Sequence, residues 1–188
     1  GSDGNLQKGA AQSFTDNGDG TVTDDRTGLM WEKKSDDGSI HDKDDTYTWG
    51  QGVSPYAMNG TMVTMFLAAL NTQPCFAGFC DWRIPNLAEL QSIRNIQVTD
   101  PVAFPAFDTD CSLGCTVTTC SCTASAPYVS SSTDQVLSQI VWVIHFGGGF
   151  NQMLTPLLAF CGHVIRNRRI LERSALVFFI PDDGLHLD

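Results

Sequence analysis

The chain has 188 residues, 42% hydrophobic and 17% charged, which suits one folded domain with a sizeable core and excludes a disordered chain. Eleven basic against twenty-one acidic residues give a net charge of −10, which sets the surface field against nucleic acid and other polyanions. No apolar run approaches the ~20 residues that span a bilayer, so no membrane span is expected. Residues 1–13 are small and polar and read as a linker or the remnant of a stalk; Gly1-Ser2 resembles a cloning scar, so the natural N-terminus is expected upstream.

Phe14 opens the fold. Asp16-Asn17-Gly18-Asp19-Gly20 is a turn sequence, Thr21–Asp24 alternates as a strand does, Asp25–Gly28 turns again, and Leu29–Lys33 reads as the second strand. The acidic turn lacks the ligand register and distal glutamate of an EF-hand, so a plain hairpin turn is expected. Residues 35–48 form a polar insertion. Its Asp42, Asp44 and Asp45, with His41, can hold a hard cation through carboxylate oxygens. A solvated charged loop accounts for them equally well, and no metal or cofactor is expected.

After Trp49 and a stretch from Gly50 to Asn59, Met62, Met65, Phe66, Ala69 and Leu70 recur at helical spacing. This predicts an amphipathic helix whose methionines pack in the core, with an adaptable binding face as the alternative. Cys75 and Cys80 are spaced for a small disulfide loop, and nothing basic lies nearby to activate a thiol, so a structural bridge is expected.

The central stretch runs from Asp81 to Ile93. Trp82 is large and amphipathic and is expected to anchor the core. Asn86 can cap a helix, Glu89 three residues on can close a capping box, and Leu87, Leu90 and Ile93 then share one face. Arg83 is expected to pair with a carboxylate or backbone carbonyls, Asp81 being a near candidate. These residues, with Trp31 and Trp142, are read as structural.

Beyond Asp100-Pro101 and Phe104-Pro105 the chain carries Cys111, Cys115, Cys120 and Cys122 among serines and threonines. The spacing is not that of paired C-x-x-C zinc ligands and no histidine is close. Two disulfides are expected instead, with Cys120 and Cys122 each reaching back to Cys111 or Cys115. Such a loop is rigid, polar and exposed, and is the best local candidate for binding specificity.

Ser130–Thr133 offers hydroxyls without an activating base. Ile140–Phe146 predicts a central strand, Gly147–Gly149 its turn and Phe150–Leu154 the return; His145 on that strand reads as a hydrogen-bonded structural residue. Arg166, Arg168, Arg169 and Arg173 form a basic cluster that can grip a sulfate or carboxylate, or turn inward to pair with the abundant acids. Ala175–Ile180 reads as a last strand, able to pair with a neighbouring strand or subunit. Seven cysteines point to an oxidising compartment, with Cys161 as the odd thiol. Two helices between strand clusters give an α+β single domain.

Three ordered segments carry a family resemblance. Gly18–Asp24 with Thr27–Trp31 resembles "GDGTVTD-x-x-TGLMW". Asp81–Leu90 resembles "DWRLPT-x-x-EL". Tyr128–Thr133 with Val141–Phe146 and Gly149 resembles "YWSST…AWVVDF-x-x-G". These are motifs of the C-terminal domain family of the Legionella collagen-like adhesin, Lcl, and the likeness covers roughly residues 14–169. His163–Arg169 is similar to its closing "YVRCVR" strand, with Arg166 and Arg169 at its arginines and Asn167 at its cysteine. A fainter similarity links Trp82–Asn86 to formylglycine-generating-enzyme-like and other C-type-lectin-like folds.

The resemblance implies a C-type-lectin-like variant over residues 14–188, with two helices, short antiparallel strands and a long disulfide-bearing loop. It implies a non-catalytic module at the tip of a bacterial surface fibre, extracellular, bound as a homotrimer to a fibrous stalk and adhering to a glycan or cell-surface receptor. Relatives include binders of sulfated glycosaminoglycans; a charge of −10 favours neutral glycans or a protein receptor here. Tyr47, Trp49, Tyr56 and Tyr128, with Arg166, Arg168 and Arg169, are the candidate ligand contacts. The alternatives are a structural trimerisation cap, or an enzyme of the formylglycine-generating kind, which needs a reactive cysteine pair beside a groove.

Overall fold

The computed structural model describes residues 11–51, 57–137, 140–148, 151–154 and 159–167. The predicted last strand, Ala175–Ile180, lies outside the described residues, as do Tyr56, Gly149, Phe150, Arg168, Arg169, Arg173 and the first ten residues of the expected linker.

Strand β1 (Phe14–Asp16) turns into β2 (Thr21–Asp24), which turns into β3 (Leu29–Glu32). Each turn is held by an aspartate bonding the backbone just ahead of it. Asp16 Oδ1 accepts from the Gly18 amide at 2.9 Å and Asp19 Oδ1 from the Thr21 amide at 3.1 Å. Asp24 accepts from the Arg26 amide at 2.9 Å and the Thr27 hydroxyl at 2.7 Å. These carboxylates make the hydrogen bonds of the expected plain hairpin turns.

The antiparallel order continues to β9 (Ile165–Asn167), giving a sheet β1-β2-β3-β9 that joins the start of the domain to the far end of the described chain. A second sheet pairs β5 (Pro127–Thr133), β6 (Val141–His145) and β7 (Asn151–Leu154). A small ladder joins β4 (Tyr47–Thr48) to β8 (Ala159–Phe160). Single bridges pair Arg83 with Ile165 of β9 and Tyr128 of β5 with Cys161, the residue after β8.

The first helix, α1, is wound as a π-helix over Met62–Leu67 and continues as an α-helix over Ala68–Asn71. Its i→i+5 bonding widens each turn beyond 3.6 residues. The inward stripe is therefore Met62, Phe66 and Leu70, spaced by four, while Met65 is 59% exposed and Ala69 is exposed. The predicted five-residue core face is corrected on those two positions.

Helix α2 (Leu87–Ser92) begins with the expected capping box: the Glu89 amide donates to Asn86 Oδ1 at 2.9 Å and the Asn86 amide to Glu89 Oε2 at 2.8 Å. Arg83 does pair with a carboxylate, but with Glu89, in a two-pronged contact at 2.9 and 2.6 Å, and not with Asp81. Trp82 is buried; its indole donates to the Phe76 carbonyl at 3.1 Å, and the Asn71 carboxamide brackets its backbone.

The strands bury both faces. Met30, Val143 and Val164 join Met62, Phe66, Leu70 and Trp82 in one apolar cluster, whereas Leu29, Trp31, Ile144 and Ile165 join Leu90 and Ile93 in another. Alternate residues of one strand thus feed opposite clusters, one containing α1 and the other α2. All four residues of β2 and all four of β3 are buried, including the polar positions of the alternating pattern in Thr21–Asp24. Covering both faces of a sheet removes its solvent side. Trp142 of β6 is half-buried. The outcome is the expected small α+β domain with few helices and short antiparallel strands.

Candidate functional site

The loop after α2 is built by its cysteines. Bridges Cys111–Cys122 and Cys115–Cys120 resolve the pairing that the spacing left open, and Cys75–Cys80 closes the third loop as predicted. The two bridges of the long loop touch: Cys115 Sγ lies 3.6 Å and Cys120 Sγ 3.8 Å from Cys122 Sγ. Thr109 and Ser121 exchange backbone hydrogen bonds at 2.8 and 2.9 Å across the base.

The loop is anchored as well as cross-linked. Its Cys122 amide donates to the Lys34 carbonyl at 2.9 Å, and its Cys115 carbonyl accepts from the Asp36 amide at 3.0 Å. Gly20, at a φ of 91°, lets the first hairpin lie under it; a Cβ there would fall 2.8 Å from Val117.

Between the hairpin and this loop lies a cleft of about 320 Å³. Phe14, Asp16 and Lys33 form one wall; Thr109, Asp110, Thr118, Thr119, Cys120 and Ser121 form the other, with Ala106 beside them. Lys33, whose side chain is 4% exposed, pairs with the 56%-exposed Asp16 at 2.8 Å. Burial pulls the Asp16 pKa upward, but the Lys33 hydrogen bond and charge and the Gly18 amide outweigh it and hold the carboxyl below its usual range. Asp110 makes no hydrogen bond or ion pair among the described residues. The Ser121 hydroxyl is buried with no hydrogen-bond partner among them. A polar wall with an exposed carboxylate, Asp110, an aromatic edge and a net negative charge can bind a hydroxyl-bearing or cationic ligand.

Other predicted contacts lie elsewhere. Tyr47, Trp49 and Tyr128 are buried, so none offers a face to a sugar; this corrects their assignment. Tyr47 stacks on Phe66 at 4.9 Å, and Tyr128 on His163 at 4.9 Å. Amphipathic rings suit a sugar platform, but here they are packed inward. Arg166 is 2% exposed and lies over the Phe79 ring at 3.6 Å, with Nε bonded to Asp81 at 2.8 Å. It follows the inward alternative. Arg168 and Arg169 lie outside the described residues.

The acidic insertion brings Asp36, not Asp45, together with Asp42 and Asp44. The Lys43 ammonium already lies among them, 3.3 Å from Asp36 and 2.5 Å from Asp44, and Asp42 accepts the Gly38 and Asp44 amides. Asp45 instead accepts from the Tyr47 hydroxyl at 3.3 Å.

One charged group of the core was not anticipated. Glu32, fully buried, holds Lys34 at 3.2 Å and His41 at 2.7 Å, and the Lys34 ammonium lies 4.2 Å over the Phe66 ring. Desolvation raises the Glu32 pKa, yet the Lys34 charge and His41 prevail and lower it. His163 nearby is pushed down to about 3 by burial first and by Lys34 second. Burial also drives the Cys161 thiol up to about 11. Glu32 and His163 are both buried, and Trp31, Phe107 and Tyr128 pack against the His163 ring.

The Lcl C-terminal domain profile matches residues 20–166, from the first hairpin turn to Arg166 in β9. The chain belongs to the Lcl C-terminal domain family. A 42-residue segment is also 45% identical to an uncharacterized 66.3 kDa protein in the hag2 5' region of Eikenella corrodens, covering 22% of this chain and 7% of that protein. No solved structure matches the chain. The cleft uses Phe14 and Asp16, which precede the matched Lcl C-terminal segment, together with residues inside it.

Of the cleft, only the cysteine loop was marked in the sequence. Ser121 lies inside that loop, whereas Phe14, Asp16, Lys33 and Asp110 carry no binding signal in the sequence. The available signal was weak: an aspartate just before a cysteine loop has the same composition as any turn.

Proposed function

We propose that this domain is a non-catalytic binding module of a bacterial surface fibre, exported from the cell, that adheres to glycans on another cell or matrix. Membership of a family named for a collagen-like adhesin supports the fibre setting and the surface location. The observation that carries binding is the cleft, walled by a loop that two disulfides and backbone hydrogen bonds to Lys34 and Asp36 hold in shape. Preorganised recognition surfaces lose little entropy on binding. A non-catalytic role is supported by the thiols, six bridged and the seventh buried with its pKa raised. A net charge of −10 favours neutral or cationic glycans over sulfated ones. A homotrimer on a stalk fits the family setting.

A glycan-array screen of the labelled domain, run at physiological salt with calcium and again with EDTA, tests this. Binding that survives EDTA and avoids sulfated glycosaminoglycans is the expected result. Loss of binding in EDTA would instead return attention to a metal held by Asp36, Asp42 and Asp44. Silence across the array, from a domain shown to be folded, would remove the glycan reading in favour of a protein receptor or a trimerisation cap.

A further inference from the structure

We propose that the four cysteines of the long loop, when reduced, form a tetrathiolate site for zinc, so that a metal ion replaces the two disulfides as the clamp of that loop.

The two bridges lie against each other. Cys122 Sγ is 3.6 Å from Cys115 Sγ and 3.8 Å from Cys120 Sγ, and the sulfurs of Cys111, Cys115 and Cys122 all lie within 4.8 Å of one another. Zinc held tetrahedrally by thiolates at ~2.3 Å separates its sulfurs by ~3.8 Å. Two edges of such a tetrahedron are therefore in place between the bridges, and opening the two bonded pairs to the same spacing supplies two more. Cys75 and Cys80 join no such group of three ligands among the described residues.

Backbone hydrogen bonds hold these positions without the bridges. The Cys122 amide donates to the Lys34 carbonyl at 2.9 Å, the Asp36 amide to the Cys115 carbonyl at 3.0 Å and the Gly114 amide to the Asp36 carbonyl. Thr109 and Ser121 close the base of the loop. Reduction thus leaves the ligands near one another, which lowers the ordering cost of binding a metal. The Ser112 amide points at Cys115 Sγ at 3.5 Å, a donor that stabilises a thiolate and orients it as a ligand. Cys120 and Cys122 are buried while Cys111 is exposed, so the site has a closed floor and an entry side. A donor set of sulfur alone selects zinc over calcium or magnesium. The spacing C-x3-C-x4-C-x-C does not show this, because the loop's folding on itself, and not a paired C-x-x-C, gathers the sulfurs.

A phosphine reductant opens each bridge with one water, giving two thiols and one phosphine oxide. Zinc then displaces the four thiol protons as it binds. In a newly made chain the cysteines are thiols already, so zinc can hold the loop before any bridge forms, and the cleft wall is clamped in either redox state.

The test is to reduce the full chain with a phosphine, add zinc, pulse with an alkylating reagent and map the modified cysteines by peptide mass spectrometry. Zinc at ~100 times its Kd should slow alkylation of Cys111, Cys115, Cys120 and Cys122 about a hundredfold and leave Cys75 and Cys80 at their metal-free rates. Cobalt(II) in place of zinc should give the intense visible bands of a tetrahedral thiolate complex. Cys122→Ser should weaken zinc binding by more than the ~100-fold that loss of a supporting group costs. The double variant Cys75→Ser, Cys80→Ser should bind like the parent. If reduction unfolds the metal-free domain, zinc should restore its near-ultraviolet circular dichroism, binding then being coupled to folding. Absence of protection, protection that omits Cys111 or Cys122 or falls on Cys75 or Cys80, or a weakly absorbing octahedral cobalt spectrum would overturn the site.

Discussion

At the scale of single residues, burial changes what a side chain is for. Arg166 has the chemistry of an anion-binding residue, yet the Phe79 ring and the Asp81 carboxylate occupy its guanidinium. His163 is a second case. Its pKa in the folded chain is pushed down to about 3 from an ordinary 6.5, so folding holds the ring neutral while the unfolded chain protonates it. Between those values the unfolded state binds more protons, so stability rises with pH across that window. The contribution is complete above about 6.5 and is lost as pH falls toward about 3. The lowered Glu32 carboxyl works in the same direction at the acid end. Denaturant midpoints measured across this range should fall with acid, and His163→Leu should flatten the upper part of that fall. An unchanged slope in the variant would place the proton uptake elsewhere.

At the scale of elements, local rules predicted the hairpins, the α2 capping box and the small disulfide loop. Each depends on residues within a few positions of one another, so composition and spacing suffice. The face of α1 did not follow, because its period is not 3.6. Once the first six residues wind as a π-helix, the inward positions are four apart and Met65 leaves the core. Met62→Ala should therefore destabilise the domain by about 2–5 kcal/mol, as loss of a fully buried side chain does. Met65→Lys should change it by no more than about 0.5 kcal/mol. Equilibrium unfolding of the two variants checks this; similar costs at both positions would restore an ordinary amphipathic α-helix.

At the scale of the whole molecule, the sheets meet helices on both sides and the cysteine loop is strapped to the first hairpin. Of the three bridges, Cys115–Cys120 is nested inside Cys111–Cys122 and Cys75–Cys80 closes a separate short loop; each is expected to contribute about 2–4 kcal/mol. Cys161 stays buried beside Tyr128 and Phe146, with a raised pKa. A thiol reagent at neutral pH should find no fast-reacting cysteine in the folded domain and one per chain after unfolding without reductant. Two or more reactive thiols in the native domain would break the disulfide assignment and reopen the enzymatic reading, since a reactive pair is what that chemistry needs.

The sequence by itself determined the family, the α+β class, the turn chemistry, the capping box and the cysteines that would pair. Motifs and short-range spacing carry all of these. Tertiary structure alone decided which aromatics face solvent, which carboxylate each arginine meets and where a cleft opens. Tyr47, Trp49 and Tyr128 have side chains suited equally to a sugar platform or a core, and only packing in the α1 cluster, for the first two, and in the α2 cluster, for the third, makes them core. The cleft joins Phe14, Asp16 and Lys33 to Asp110 and Ser121, residues some ninety positions apart. Their meeting depends on the disulfide loop lying over Gly20 and bonding to Lys34 and Asp36. Such contacts between distant segments are written in no local pattern, because the free energy that selects them belongs to packing of the whole chain.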